Sequence, residues 1–189
     1  MEAVAIEISP AMMPGAKERS IKFVFGPPCS GKSYFIKRFF PEHFIVDLHD
    51  FQDGTIAAEN AYQSYFLCRD AFVEAIRRHP RIVLKHTLLK RKRRIEMLEA
   101  VHDAIGASCK VDCWYSFPTL EEYAVYDKLD YEQWIKTHPD DFLATTHSKE
   151  LLQDYLDAFE LPTVEEGFAT VQRIQDFVAL PKEMIKTHE

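Results

Sequence analysis

Between the apolar run Ile21–Phe25 and a helix-forming stretch stands Gly26-Pro27-Pro28-Cys29-Ser30-Gly31-Lys32-Ser33, which fits G-x-x-x-x-G-K-[ST]. Few sequence features restrict a fold so strongly. The glycines let the backbone curl until successive N–H groups point inward, and a helix starting at the second glycine adds the positive end of its dipole. Such a concavity takes polyphosphate oxygens, and it needs a strand leading in and a helix leading out. Both are predicted here: Ile21–Phe25 reads as the strand, and the helix runs from Gly31-Lys32-Ser33 to just before Pro41.

Lys32 is placed to reach the outer phosphates, and the Ser33 hydroxyl is placed to ligate Mg²⁺. Gly26, Pro27, Pro28, Cys29, Ser30, Gly31, Lys32 and Ser33 are therefore the candidate nucleotide-binding residues, with ATP and Mg²⁺ the expected cofactors. The motif does not set the fate of the bound nucleotide, because GTPases, motor ATPases and kinases share it.

Downstream, short apolar runs alternate with helical patterns. His43–Leu48, Arg81–Thr87 and Ser108–Phe117 read as strands, and Thr55–Arg78 keeps a 3.6-residue rhythm. A helix through Ile95, Leu98, Val101 and Ile105 closes at Gly106, and another opens at Pro118-Thr119 with Glu121 and Glu122 in its first turn. Residues 131–161 read as helical, interrupted at His138-Pro139, while Phe168–Ile174 fits either a fifth strand or a short helix. This alternation predicts an α/β fold: a parallel five-stranded sheet with helices on both faces in three layers, plus a small helical lid at about residues 120–160. Residues 1–20 read as a lead-in, 21–180 as the domain and 181–189 as a tail.

Of the 189 residues, 47% are apolar, which suits a folded domain, and the formal charge of −7 weighs against broad nucleic-acid binding. No apolar stretch is long enough to span a bilayer, and the N-terminus lacks a secretory pattern, so no membrane partner and a cytoplasmic location are expected. Cys29, Cys68, Cys109 and Cys113 do not make a disulfide framework and read as reduced thiols. The aromatic band from Trp114 to Trp134 reads as packing rather than a base-stacking platform.

Catalytic candidates stand where the second strand ends, in Val46-Asp47-Leu48-His49-Asp50-Phe51. In a parallel sheet the ligand crevice lies beyond the carboxyl ends of the strands, so a carboxylate there can take the proton of an attacking hydroxyl. Asp50 is the expected base, Asp47 the reserve, and Asp53 a helix cap before Gly54-Thr55. The run Lys90-Arg91-Lys92-Arg93-Arg94 opens a helix, where cations meet the positive dipole end, and a bound anion is expected to offset them.

Together the glycine loop, the Asp after strand two, Val83-Leu84-Lys85-His86-Thr87-Leu88-Leu89 with the arginines beyond it, and Leu161-Pro162-Thr163-Val164-Glu165-Glu166-Gly167-Phe168 resemble the polynucleotide-kinase-like, toxin-related branch of P-loop kinases. The resemblance covers about residues 21–175. It implies transfer of the γ-phosphoryl group of ATP to a hydroxyl acceptor: a nucleic-acid 5′ end, a nucleotide or another small molecule. Lys32 and Asp50 would be catalytic, and Thr87, Arg93 and Arg94 would contact acceptor or phosphate. Two departures stand out. Lys85 and His86 replace the family's Asp-Asn pair, and Leu120–Phe168 contains no arginine, only Lys128, Lys136 and Lys149. These departures keep two other readings open: a nucleotide-binding regulatory protein with a degenerate lid, and a toxin-like nucleotide-sugar kinase.

Overall fold

A computed structural model describes residues 19–51, 61–140 and 146–177. Most of the predicted lead-in, the Asp53 cap, the predicted helix start at Thr55 and the C-terminal tail lie outside the described residues. Five strands form one sheet: β1 (Ser20–Phe25), β2 (Phe44–Asp47), β3 (Arg81–His86), β4 (Val111–Tyr115) and β5 (Thr170–Arg173). Their order is β2-β3-β1-β4-β5, and every neighbouring pair is parallel. Five helices connect or flank them: α1 (Lys32–Phe39), α2 (Ala61–Arg78), α3 (Arg91–Ile105), α4 (Leu120–Thr137) and α5 (Lys149–Asp157).

The central strand explains the layering. Ile21, Phe23 and Phe25 of β1 point to one face, where they meet Phe72 and Ile76 of α2 and Met97, Leu98 and Val101 of α3. Val24 points to the other face, against Phe35, Ile36 and Phe40 of α1. With both faces covered, β1 reads in sequence as a nearly unbroken apolar run. Beyond β4, α4 and α5 pack on each other through Tyr123, Leu152 and Leu156. The α4 start is fixed by a capping box, in which Thr119 Oγ1 accepts from the Glu122 N–H at 3.2 Å and the Glu122 carboxylate accepts from the Thr119 N–H at 2.8 Å. Among the described residues no helix is long and apolar enough to cross a membrane.

The expected α/β sheet is present, and the open choice over Phe168–Ile174 resolves to a strand, Thr170–Arg173. The fourth strand is shorter than predicted, since Ser108–Lys110 still belong to the turn after Gly106. The third helix starts at Arg91, within the run expected to open it, and its cap comes from far along the chain. Its N-cap Lys90 offers no side-chain acceptor, and the Glu160 carboxylate accepts from the Arg91 N–H at 2.7 Å instead. The Lys90 ammonium lies 3.3 Å from the same carboxylate. The anion expected at this cationic helix start is thus an acid of the chain itself, and the Arg91 N–H together with Lys90 holds its carboxyl below the usual range.

Arg94 is fully buried. Its Nε and one terminal nitrogen donate to the two oxygens of Glu166, each at 2.7 Å, and the other terminal nitrogen donates to the Leu88 and Leu89 carbonyls at 3.2 Å. Its guanidinium also lies 5.4 Å from the Phe25 ring centroid. Phe168, two residues after Glu166, packs its ring on Phe23 and Phe25 at 5.7 and 6.0 Å. The Glu-Gly-Phe element is therefore a clasp on the core, and the Arg94 side chain is committed to it rather than to a phosphate or acceptor.

Removing one member of a buried pair leaves an uncompensated charge, which costs about 3–5 kcal/mol. Arg94→Met is expected to lower the urea-unfolding free energy by that amount, and Arg94→Met with Glu166→Leu by much less. Equal losses in the single and double variants would show that the pair is not the source of the cost.

Candidate functional site

The loop Gly26–Ser33 leaves the carboxyl end of β1, the middle strand, and ends where α1 begins. Two close approaches require its glycines. A Cβ on Gly26 would lie 2.5 Å from the Ser116 carbonyl oxygen, and one on Gly31 would lie 2.9 Å from the Tyr126 ring. Gly31 also has φ 86°, in the left-handed region, as the residue that turns the loop into the helix. Ser116, just past β4, holds the loop from behind. Its hydroxyl donates to the Ser30 carbonyl at 2.6 Å and accepts from the Gln175 side chain at 2.8 Å. Gln175 in turn accepts from the Phe117 N–H at 3.0 Å.

Lys32 is turned into this curl. Its ammonium donates to the Gly26 carbonyl at 3.0 Å and to the Pro27 carbonyl, and its side chain is buried. Burial, with Lys85 nearby, pushes the ammonium down to about 7. A buried cation against carbonyl dipoles, at a helix N-terminus, is chemically matched to a polyphosphate. Ser33 follows in the first turn of α1, half-buried. Cys29, at φ 51°, lies in the left-handed region that non-glycine residues rarely adopt. Its thiol is pushed up to about 12 by burial and by Asp130, so it is not a thiolate nucleophile at neutral pH.

The strand ends beside the loop carry the remaining candidates. Asp47 closes β2, and its carboxylate pairs with the Lys85 ammonium at 2.6 Å and accepts from the His49 N–H at 3.1 Å. Lys85, which replaces an expected acid, is thus neutralised by a neighbouring strand. Asp50 stands exposed on the 3₁₀ turn Leu48–Phe51 and makes no hydrogen bond or ion pair among the described residues. Thr87 is half-buried just past β3. Arg93 pairs with Glu96 at 2.8 Å and lies over the Tyr65 ring of α2 at 4.9 Å. The structure thus gathers the loop, Asp47, Lys85 and His86 at one edge of the sheet and takes Arg94 into the core.

His86, at the end of β3, is buried. Its Nδ1 accepts from the Leu88 N–H at 3.1 Å, which places the ring proton on Nε2, and that donor has no partner among the described residues. Burial, with Lys32 nearby, drives the imidazole down to about 3, so it stays neutral at physiological pH. An unmatched buried N–H next to the lysine is a further donor for anionic oxygen. The sequence marks His86 only as a departure from the Asp-Asn pair, and carries no local signal for Ser116, Gln175 or Arg173, which closes β5 and donates to the Phe117 carbonyl. The signal that reaches them is topological: all stand just past or at the carboxyl ends of strands flanking β1 or β4.

No protein-family model matches the chain, and no curated protein matches its sequence. Solved structures do. A candidate kinase from Chloroflexus aurantiacus superposes with a TM-score of 0.61 at 10% identity, over 90% of this chain and 97% of that one. A gluconokinase from Sinorhizobium meliloti gives 0.53 at 17% identity, over 89% and 87%. A chain of the Pnkp1/Rnl/Hen1 RNA repair complex gives 0.53 at 12% identity, over 75% of this chain and 44% of that one. The chain shares the α/β fold of these kinases. At such identities the likeness is one of architecture, and what the Gly26–Ser33 loop serves here rests on the site itself.

The His86 environment has a measurable consequence. Its folded value near 3 lies below its unfolded value of 6.5, so between those pH values the unfolded chain holds a proton that the folded chain does not. Stability is intact above pH 6.5 and falls as the pH drops. Urea unfolding at pH 7 and pH 5 is expected to show a loss about 2 kcal/mol greater for the parent than for His86→Gln. Parallel losses in the two proteins would contradict a buried neutral imidazole.

Proposed function

We propose that this protein is a phosphotransferase that moves the γ-phosphoryl group of ATP to a hydroxyl acceptor. The observation that carries the reading is Lys32, buried and turned into a glycine-hinged curl at the carboxyl end of the central strand, with Gly31 at the head of α1. The amides of Gly26–Ser33 would hold the phosphates, and Lys32 would offset charge on the transferring group. The neutral His86 Nε2–H adds a donor that costs no charge burial. The Ser33 hydroxyl would hold Mg²⁺, which would supply positive charge against the phosphates, whereas Asp47 is held by Lys85.

Asp50 is the base in this reading. Its carboxylate is exposed at the same sheet edge, while Asp47 is engaged with Lys85. The helical pair α4–α5 serves as the lid, leaning on the loop through Tyr126 and Cys29. Lys128, Lys136 and Lys149 are its cations in place of arginines, giving point charges without the planar fork.

A small hydroxyl compound has the better support as acceptor. The net charge is −7, and the helix cations that would grip a polynucleotide are answered internally by Glu160, Glu96 and Glu166. A nucleotide-binding regulatory role is the second reading, favoured by the arginine-free lid.

Transfer of labelled γ-phosphate to a panel of sugar acids, sugars, nucleosides and 5′-hydroxyl oligonucleotides separates these readings. Lys32→Ala is expected to abolish turnover with the fold retained. Asp50→Asn is expected to keep ATP affinity and to slow transfer by roughly 10²–10⁴-fold. ATP binding with no transfer to any acceptor would leave the regulatory role standing and overturn the kinase.

A further inference from the structure

Three side chains from three separate elements meet beside the phosphate loop. Cys29 belongs to the loop, Asp127 to α4, and His147 to the segment ahead of α5. The Cys29 Sγ, an Asp127 carboxylate oxygen and a His147 ring nitrogen all lie within 4.8 Å of one another. Asp130 Oδ2, one turn along α4, accepts from the Cys29 thiol at 3.3 Å. This is not a surface gathering of acids. Asp127 is buried, with 3% of its surface exposed, and carboxylates are seldom buried unless paired or bound to metal.

The Asp127 Oδ1 lies 2.5 Å from the His147 Nδ1, and the Cys29 sulfur lies within 4.8 Å of a donor atom on each of the two. Donors converging on one region suit a shared cation. Asp127 is also held as a ligand needs to be: its Oδ2 accepts from the His147 backbone N–H at 2.7 Å, which fixes the carboxylate and the histidine together. Cys29 reaches the cluster through its left-handed backbone at φ 51°, a conformation with a cost for a residue bearing a Cβ.

We propose that Cys29, Asp127 and His147 form a Zn²⁺ site that ties the phosphate loop to the helical pair, with water in the fourth position. One sulfur, one imidazole nitrogen and one carboxylate oxygen form a borderline-soft set of the kind zinc takes with three protein ligands and a water, whereas Mg²⁺ and Ca²⁺ take oxygen alone. Tetrahedral zinc with bonds of about 2.0–2.3 Å separates its ligand atoms by about 3.3–3.8 Å. That spacing lies between the closest Asp127–His147 contact and the 4.8 Å outer limit of the cluster. On binding, the thiol proton leaves to solvent, and any proton on the ring nitrogen that binds the metal moves to the other ring nitrogen or to solvent. The site is distinct from the Mg²⁺ that the phosphotransferase reading places at Ser33, and it stands whether or not that reading does.

The test uses the full chain, stripped with a chelator and titrated with Zn²⁺ or Co²⁺ in the absence of nucleotide. One Zn²⁺ per chain is expected, and Co²⁺ is expected to give a thiolate-to-metal charge-transfer band with the strong visible absorption of tetrahedral cobalt. Cys29→Ser is expected to abolish that band. His147→Gln, at a partly exposed position, is expected to weaken Zn²⁺ binding on the order of a hundredfold. Cys109→Ser, which alters another thiol, is expected to leave the band in place. No stoichiometric zinc in the parent chain, a cobalt spectrum lacking the thiolate band, or a band that survives Cys29→Ser would each overturn the site.

Discussion

The tightest constraint in this molecule is the contact of two backbones: Gly26, leaving the central strand, lies where any side chain would strike the Ser116 carbonyl oxygen. That approach lets β4 carry the loop from behind, so the curl around Lys32 is held by structure instead of being ordered at each encounter with a ligand. The Ser116 hydroxyl and Gln175 extend the support to the segment after β5. The cradle is therefore an outcome of the whole sheet, and preorganisation of this kind lowers the entropy cost of gripping a charged ligand.

Charge is managed by pairing across long sequence distances. Lys85 meets Asp47 from the adjoining strand, Arg94 meets Glu166, and Lys90 meets Glu160. Each pair pins a different part of the frame: a strand end at the site, the late Glu-Gly-Phe segment on the core, and the exit of α5 on the start of α3. Beside the loop, Lys32 is buried with its amine on the Gly26 and Pro27 carbonyls, and the His86 N–H has no acceptor among the described residues.

Much of this frame was legible from sequence because its signals are local. The loop motif, the apolar runs of β1 and β3 and the Thr119–Glu122 cap are each written in a few adjacent residues. What local patterns leave out are partners far along the chain. The acid that caps α3 is Glu160, 69 residues away, and Arg94 reads as a phosphate or acceptor contact because its partner is 72 residues distant. The β5 strand is four residues long and only half-covered, so neither alternation nor length could decide it. Cys29, Asp127 and His147 likewise carry no spacing signature, since three elements deliver them.

The Glu160 cap has an implication for how such a surface changes over time. At the head of this cationic helix start, one carboxylate from elsewhere, Glu160, occupies both the Arg91 N–H and the Lys90 ammonium, a place an external anion could otherwise take. A single replacement at Glu160 would bare the Arg91 amide and Lys90 together. A descendant of this chain could thus acquire a grip on a nucleic-acid backbone in one mutational step, without remodelling the sheet or the loop.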